Sequence, residues 1–245
     1  MPRIYLSPSL QESNPYVIGG TEEEYMNRVA DAMEPYLIAN GIAFTRNDPE
    51  QTLSQVIAQS NSSNYDLHLA LHSNAAGSEN AGEIRGTDVY YYTPSTEGQK
   101  AAQDIVQTMK TIYPLPDRVR TVATTALAEV RRVKAPSVLV EIAYHDNEED
   151  AIWIRDNIDG IARALTEALT LYFQIPFVEV IDPFVGTVRT SGASLNIRSR
   201  PTLTSTVVGR IPNGASVKVN GMYDTWYIVE YDGVIGYADR RYITA

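Results

Sequence analysis

The chain has no cysteine, only three histidines among 245 residues, and no block of like charges. Without thiols there are neither disulfides nor thiolate metal sites, so a bound metal would have to be held by histidine and carboxylate. No run is long and apolar enough to read as a membrane span, and Met1-Pro2-Arg3-Ile4-Tyr5-Leu6 lacks the apolar stretch of a signal peptide. A membrane span is therefore not expected, and no export route is visible. Basic patches are missing too: the formal net charge is -10 and is spread along the chain, which argues against nucleic acid as a partner. A hydrophobic content of 44% suffices for one medium domain and a small one.

What is present centres on Asp66-Leu67-His68-Leu69-Ala70-Leu71-His72-Ser73-Asn74-Ala75. Side chains on a strand alternate between faces, so His68, Ala70 and His72 share one face and the three leucines the other. His72 ends the run. In open α/β sheets ligands gather outside the carboxyl ends of the strands, which makes His72 a candidate site residue. His68 lies four residues back, roughly 13 Å along a strand, too far to share an ion with His72. It reads as a core histidine.

Around this strand the pattern is β-α-β-α-β. Arg3 to Leu6 and Ile42 to Arg46 read as strands, and Glu22 to about Ile38 as a helix with Met26, Ala30, Met33 and Leu37 inward. Extending that stripe back by three residues turns Glu23 inward. Thr87 to Tyr92 reads as a further strand and Thr96 to about Ile112 as a helix, whereas Pro114 to Lys134 reads as a loop carrying Arg131 and Arg132. That loop is either a substrate-facing flap or a solvated basic segment. Ser137 to His145 is a second buried strand with Glu141 in its apolar middle, a costly place for a carboxylate unless it is paired or used. Asp146 and Glu149 read as a capping box for a last helix, Asn147 to Phe173. The fold class is α/β, a mostly parallel sheet flanked by helices on both faces.

From Phe177 the texture changes to short β runs broken by Gly, Pro, Asn and Asp. The expected division is a first domain over residues 1–176, a linker over 177–185 and a small all-β barrel over 186–245. Leu195-Asn196-Ile197-Arg198-Ser199-Arg200-Pro201, Val207-Val208-Gly209-Arg210-Ile211-Pro212-Asn213-Gly214, Trp226-Tyr227 and Gly236-Tyr237 resemble a bacterial SH3-like domain. That resemblance implies a module that holds wall peptides or wall polymers; the alternative is a barrel that only packs against its neighbour.

The first domain can be compared as well. Thr21-Glu22-Glu23-Glu24-Tyr25-Met26-Asn27, then Leu71-His72-Ser73-Asn74-Ala75, then Val138-Leu139-Val140-Glu141-Ile142 resemble, in order, the zinc-dependent N-acetylmuramoyl-L-alanine amidases of the third amidase type. The resemblance implies a peptidoglycan hydrolase that cleaves the amide between N-acetylmuramic acid and L-alanine outside the cell or in its wall. It implies Zn2+ as cofactor, Glu23 and His72 as metal ligands and Glu141 as the catalytic acid/base. The family's remaining ligand is a histidine in the loop after the first strand, and Ser7 to Asn14 contains none. A catalytic zinc takes three protein ligands and a water, so a replacement is needed. His145, at the end of its strand, is the candidate extra ligand. Arg131 and Arg132 are candidates for holding the carboxylates of the stem peptide. The alternative reading is a metal-free or inactive wall-binding protein on an amidase scaffold.

Overall fold

Strands β1 (Arg3–Pro8), β2 (Ala43–Arg46), β3 (Leu67–Asn74), β4 (Thr87–Tyr92), β5 (Val119–Thr124) and β6 (Ser137–Tyr144) form one sheet in the computed structural model, which describes residues 2–245. Their order is β2-β1-β3-β6-β4-β5. The pairs β1–β3, β3–β6 and β4–β5 are parallel, while β4 runs antiparallel to β6, so the sheet is mostly parallel with one reversal. The helices are α1 (Glu22–Ala39), α2 (Leu53–Asn61), α3 (Thr96–Met109), α4 (Ala128–Arg131), α5 (Glu148–Asp156) and α6 (Ile158–Phe173).

The chain divides into two units. One comprises Arg3–Met33 and Phe44–Tyr172; the other comprises Glu34–Ala43 and Phe173–Ala245 together with Pro2. In the first unit the period-2 pattern decides the layering. Ile4, Leu6, Leu67, Leu69, Leu71, Val138, Val140 and Ile142 occupy one face of β1, β3 and β6 and are fully buried. On the opposite face Tyr5 meets Val56 of α2, and Ala70 and Leu139 meet Val130 of α4. At about 25 cal/mol per Å² of apolar surface, each such large side chain contributes on the order of 2 kcal/mol.

Three local expectations change. The stretch Pro114 to Lys134 is not a single loop, because β5 and α4 lie within it. Val119 fills the core at the strand's start and Val130 anchors the short helix. The last helix is interrupted at Asn157, giving α5 and α6. Its amino-terminal cap is Asn147, whose Oδ1 accepts from the Asp150 amide at 3.1 Å, rather than Asp146. Asp150, buried completely, also accepts from Arg85 Nε (2.8 Å), Tyr113 Oη (2.7 Å), and the amides of Tyr144 (3.1 Å) and Gly86 (3.2 Å). One carboxylate thereby ties the end of β6 to the entrance of β4.

In the second unit seven antiparallel strands run in the order β13-β7-β10-β11-β12-β8-β9, with β7 (Phe184–Val188), β8 (Leu195–Arg198), β9 (Val207–Ile211), β10 (Ser216–Tyr223), β11 (Trp226–Tyr231), β12 (Val234–Asp239) and β13 (Ile243–Thr244). Val188, Leu195, Ile197, Ile211, Val219, Val229 and Ile243 share one core although they come from strands at both ends of this order, so the sheet is curled on itself. Gly236 is required by a close approach: a Cβ there would lie 2.6 Å from Ile197 Cγ2 and 2.7 Å from the Arg198 carbonyl oxygen. The stretch read as a linker is structured. Val178 packs with Trp226, Ile228 and Tyr237, and β7 begins at Phe184. Asn40 holds Val178 by two bonds, Nδ2 to its carbonyl (2.8 Å) and Oδ1 from its amide (2.6 Å). A groove of about 400 Å³ on this unit is lined by Arg198, Leu203, Trp226, Arg241 and Tyr242.

Asn40→Ala should strand both backbone groups of the buried Val178 and lower unfolding free energy by roughly 1–3 kcal/mol, read as a lower urea midpoint. An unchanged midpoint would show that water replaces the pair at no cost.

Candidate functional site

The register of β3 and β6 sets His72 directly beside Glu141, and that of β6 and β4 sets Glu141 beside Asp88. Paired residues on neighbouring strands point to the same face, so these side chains converge at the carboxyl ends of β3 and β6. Glu141 sits where its strand position implied. Its Oε2 has no hydrogen-bond partner, and burial, then the charges of Glu22 and Asp88, raise its pKa to about 7 against the opposing pull of His72.

The glutamate that α1 delivers is Glu22, not Glu23. At about 100° per residue, a position four before Met26 is some 40° from it and one three before some 60° on the other side. Val29 and Tyr25 are buried with Met26 and widen the stripe toward Glu22. Glu22 is 1% exposed and its Oε1 lies 2.8 Å from His72 Nδ1. Glu23 is turned outward, where its Oε1 accepts from Asn27 Nδ2 at 2.7 Å.

The loop after β1 folds back as a hairpin, with Pro15 bridged to Thr21 and the Glu22 amide bonded to the Asn14 carbonyl at 2.9 Å. This return brings two amides to the site. Gln11 Nε2 is 3.3 Å from both His72 Nδ1 and Glu22 Oε1, and Asn14 Nδ2 donates to Glu22 Oε2 (2.8 Å) and Gln11 Oε1 (2.9 Å).

A second carboxylate arrives from α4. Glu129 is buried; its Oε1 accepts from Ser7 Oγ at 2.5 Å and lies 3.0 Å from His68 Nε2, while Oε2 is 3.6 Å from His72 Nε2. Hydrogen bonds and the charges of both histidines hold its pKa well below the usual carboxylate range despite burial. His72 thus has a carboxylate at each ring nitrogen. Burial lowers its pKa, but Glu129 and Glu22, with Glu141, outweigh this and raise it to about 10. His68 is a core histidine: it is fully buried, stacked on Tyr5 with ring centroids 5.1 Å apart, and its Nδ1 is 3.0 Å from Ser60 Oγ.

His145 does not join the site. Its Nδ1 lies 3.1 Å from Ser73 Oγ and its ring stacks on Tyr16. Its Nδ1 also lies 2.9 Å from the Ser73 carbonyl oxygen, and it makes no hydrogen bond to His72, Glu22 or Glu141 among the described residues. Arg131 and Arg132 are exposed, and the Arg132 carbonyl accepts from Asn61 Nδ2 at 2.9 Å, shortly before β6 begins. That is the amino end of β6, opposite the end where His72 and Glu141 emerge. Glu129, Gln11, Asn14 and Asp88 escaped the reading of the sequence. Glu129 sits in a stretch read as loop, and the two amides become visible only once the hairpin is closed.

Zinc, implied by the resemblance, can be tested against these atoms. Glu22 Oε1 and His72 Nδ1 are 2.8 Å apart, shorter than the roughly 3.3 Å edge of a zinc tetrahedron at ligand distances of 2.0–2.1 Å, and the Gln11 atom 3.3 Å from each is Nε2, a donor with no lone pair for a metal. Glu129 behind Nε2 matches the carboxylate that usually backs a ligating imidazole. Glu22 and His72 are donor types that zinc accepts, but Gln11 Oε1 already accepts from Asn14 Nδ2 at 2.9 Å, and among the described residues no group of three His, Cys, Asp or Glu could hold a metal.

Comparisons with known proteins agree with this architecture. LytC, an N-acetylmuramoyl-L-alanine amidase of Bacillus subtilis (strain 168), is 27% identical over 180 residues, covering 70% of this chain and 35% of that protein. The chain thus spans about a third of that relative's length. The N-acetylmuramoyl-L-alanine amidase AmiC2 of Nostoc punctiforme superposes with a TM-score of 0.62 at 19% identity over 71% of this chain and 97% of that one. An N-acetylmuramoyl-L-alanine amidase from Clostridium difficile 630 does so with 0.63 at 17% identity, over 71% and 97%. At these identities the superpositions speak for the fold. Residues 193–244 match the family model for the bacterial SH3 domain. Residues 4–171, more than half of the chain, match the family model described as N-acetylmuramoyl-L-alanine amidase, and the chain belongs to that family.

Proposed function

We propose that this chain hydrolyses peptidoglycan at the amide between the lactyl group of N-acetylmuramic acid and L-alanine, in the cell wall. The observation that carries the proposal is the pairing of His72 with Glu141 at the strand ends, with Glu22 against the imidazole. Glu22 and His72 would hold a zinc ion, and Gln11 would join them only through Oε1, which here accepts from Asn14. Zinc bound there supplies Lewis-acid polarisation of the scissile carbonyl and a water of lowered pKa.

The chain's own groups do the rest. Glu141, with an unpartnered Oε2 and a pKa near neutrality, takes a proton from the attacking water and delivers it to the leaving nitrogen. Glu129 fixes the imidazole from behind, and Ser7 and His68 fix Glu129. The second unit supplies attachment to the wall. Among the described residues no helix is long and apolar enough to cross a membrane.

Four measurements test this reading. Glu141→Gln should cut dye release from labelled walls by roughly 10²–10⁴-fold while leaving zinc content unchanged. Glu22→Gln and His72→Ala should lose zinc and activity together, whereas Glu23→Gln, which loses only its bond to Asn27, should keep both; the reverse pattern for the two glutamates would overturn the assignment. Gln11→His should tighten zinc binding by more than about tenfold, and unaltered affinity in a competition titration would remove Gln11 from the ion's shell. In a wall sedimentation assay, Leu203→Asp, on the exposed rim of the groove in the second unit, should lower the fraction of protein pelleting with walls. Equal pelleting would place wall attachment elsewhere.

A further inference from the structure

We infer that the substrate crosses the sheet in one direction, with its acidic peptide over β4 and β5, where Arg118 and Arg120 receive its carboxylates. This rests on the hydrolytic reading above and adds the polarity of the bound substrate.

Registers carry the argument. His72 pairs with Glu141, Glu141 with Asp88, and Asp88 with Arg120, so four charged side chains form a row on one face of the sheet. Strands are about 4.8 Å apart, which puts Arg120 roughly 10 Å from Glu141, the reach of about three residues of extended peptide. A groove of about 300 Å³ opens there, lined by Ile84, Arg85, Gly86, Tyr144, the acids Asp88 and Asp117, and Arg118 and Arg120. Arg85 is committed to Asp150 and Glu149. Arg120 bonds Asp88 through Nε at 2.6 Å and Nη2 at 3.4 Å, yet its side chain is 69% exposed and its Nη1 edge is unspent. Arg118 is exposed and has no side-chain hydrogen bond or ion pair among the described residues. Its backbone is held against β4 because Gly86, at φ +142°, has no Cβ; one would stand 2.7 Å from the Arg118 carbonyl oxygen.

The other side of His72 differs in chemistry. A cavity of about 350 Å³ lies between the loop after β1 and α4, walled by Leu10, Leu53, Val56, Leu127 and Leu139, with the Glu129 carboxylate on its lining and no lysine or arginine. A carboxylate-bearing peptide finds no arginine or lysine to receive it there. An uncharged sugar with acetyl and lactyl methyl groups finds apolar walls and hydroxyl or amide partners in Ser9 and Gln11. The scissile amide then lies over His72 and Glu141, between a side without lysine or arginine and a side that presents Arg118 and Arg120. Guanidinium is the suited receptor because its planar fork meets a carboxylate with two parallel bonds.

The test uses two soluble muramoyl peptides that begin with L-alanine and differ only in whether the next two residues carry free carboxylates or carboxamides. The parent should favour the acid in kcat/KM by more than about fivefold, chiefly through KM. Arg118→Gln with Arg120→Gln should bring the ratio near one. Arg118→Gln alone, which leaves the Asp88 pair intact, should lose part of it, and Arg131→Gln with Arg132→Gln should retain it. A ratio untouched by the first double variant, or abolished by the second, overturns the polarity. Equilibrium dialysis of both peptides against Glu141→Gln chains carrying the same variants separates the two claims. A parent that binds but never hydrolyses defeats the proposed function, and the ratio of dissociation constants still decides for or against the arginine groove.

Discussion

Three carboxylates, Glu22, Glu129 and Glu141, are brought to one imidazole, that of His72, and the site depends on that convergence. Taking each carboxylate out of water costs several kcal/mol unless it gains a counter-charge and hydrogen bonds. Glu22 and Glu129 are compensated: each lies at a ring nitrogen, and amides or hydroxyls from Asn14 and Ser7 complete the set. Glu141 receives no such bond on Oε2 and keeps a high proton affinity. The division of labour among the three acids follows from how completely each is compensated.

The supporting elements serve this arrangement at different ranges. Sheet register fixes His72, Glu141 and Asp88 to within a strand spacing, which no loop achieves alone. The hairpin after β1 adds amides whose donors are consumed within the cluster, and α4, only four residues long, carries Glu129 and is anchored by Val130. Asp150 holds the exit of β6 to the entrance of β4, so the reversed strand cannot drift from Glu141.

Much of this was legible in the sequence, and the limits have physical causes. Period-2 alternation identified the His72 strand and the half-buried Glu141, because a strand pattern specifies faces without ambiguity. A helical stripe specifies direction only to within about half a turn near its end, which is why the stripe pointed to Glu23 whereas Val29 and Tyr25, buried with Met26, turn Glu22 inward. His145 and the arginines of the α4 segment were misplaced for a different reason: a linear reading carries no information about which end of a strand, or which face, a flanking loop reaches. Short elements such as α4 are held by tertiary contacts rather than by propensity, so Glu129 had no local signal.

The reversal of β4 has a consequence for how such a protein can diversify. In an all-parallel sheet the site is served by loops that leave the strands, each tied to the helix that follows. Here β4 runs against β6, so the segment entering β4, from Ala75 to Gly86, reaches the site end of the sheet, and it contains only one short helical turn, Ser78–Asn80. It is anchored at a few points, notably Ala76 and Gly82 on Asp146 and Arg85 on Asp150. Length and charge can change between those anchors while the registers that place His72 and Glu141 stay as they are, so the peptide side of the substrate can be re-specified without disturbing the chemistry.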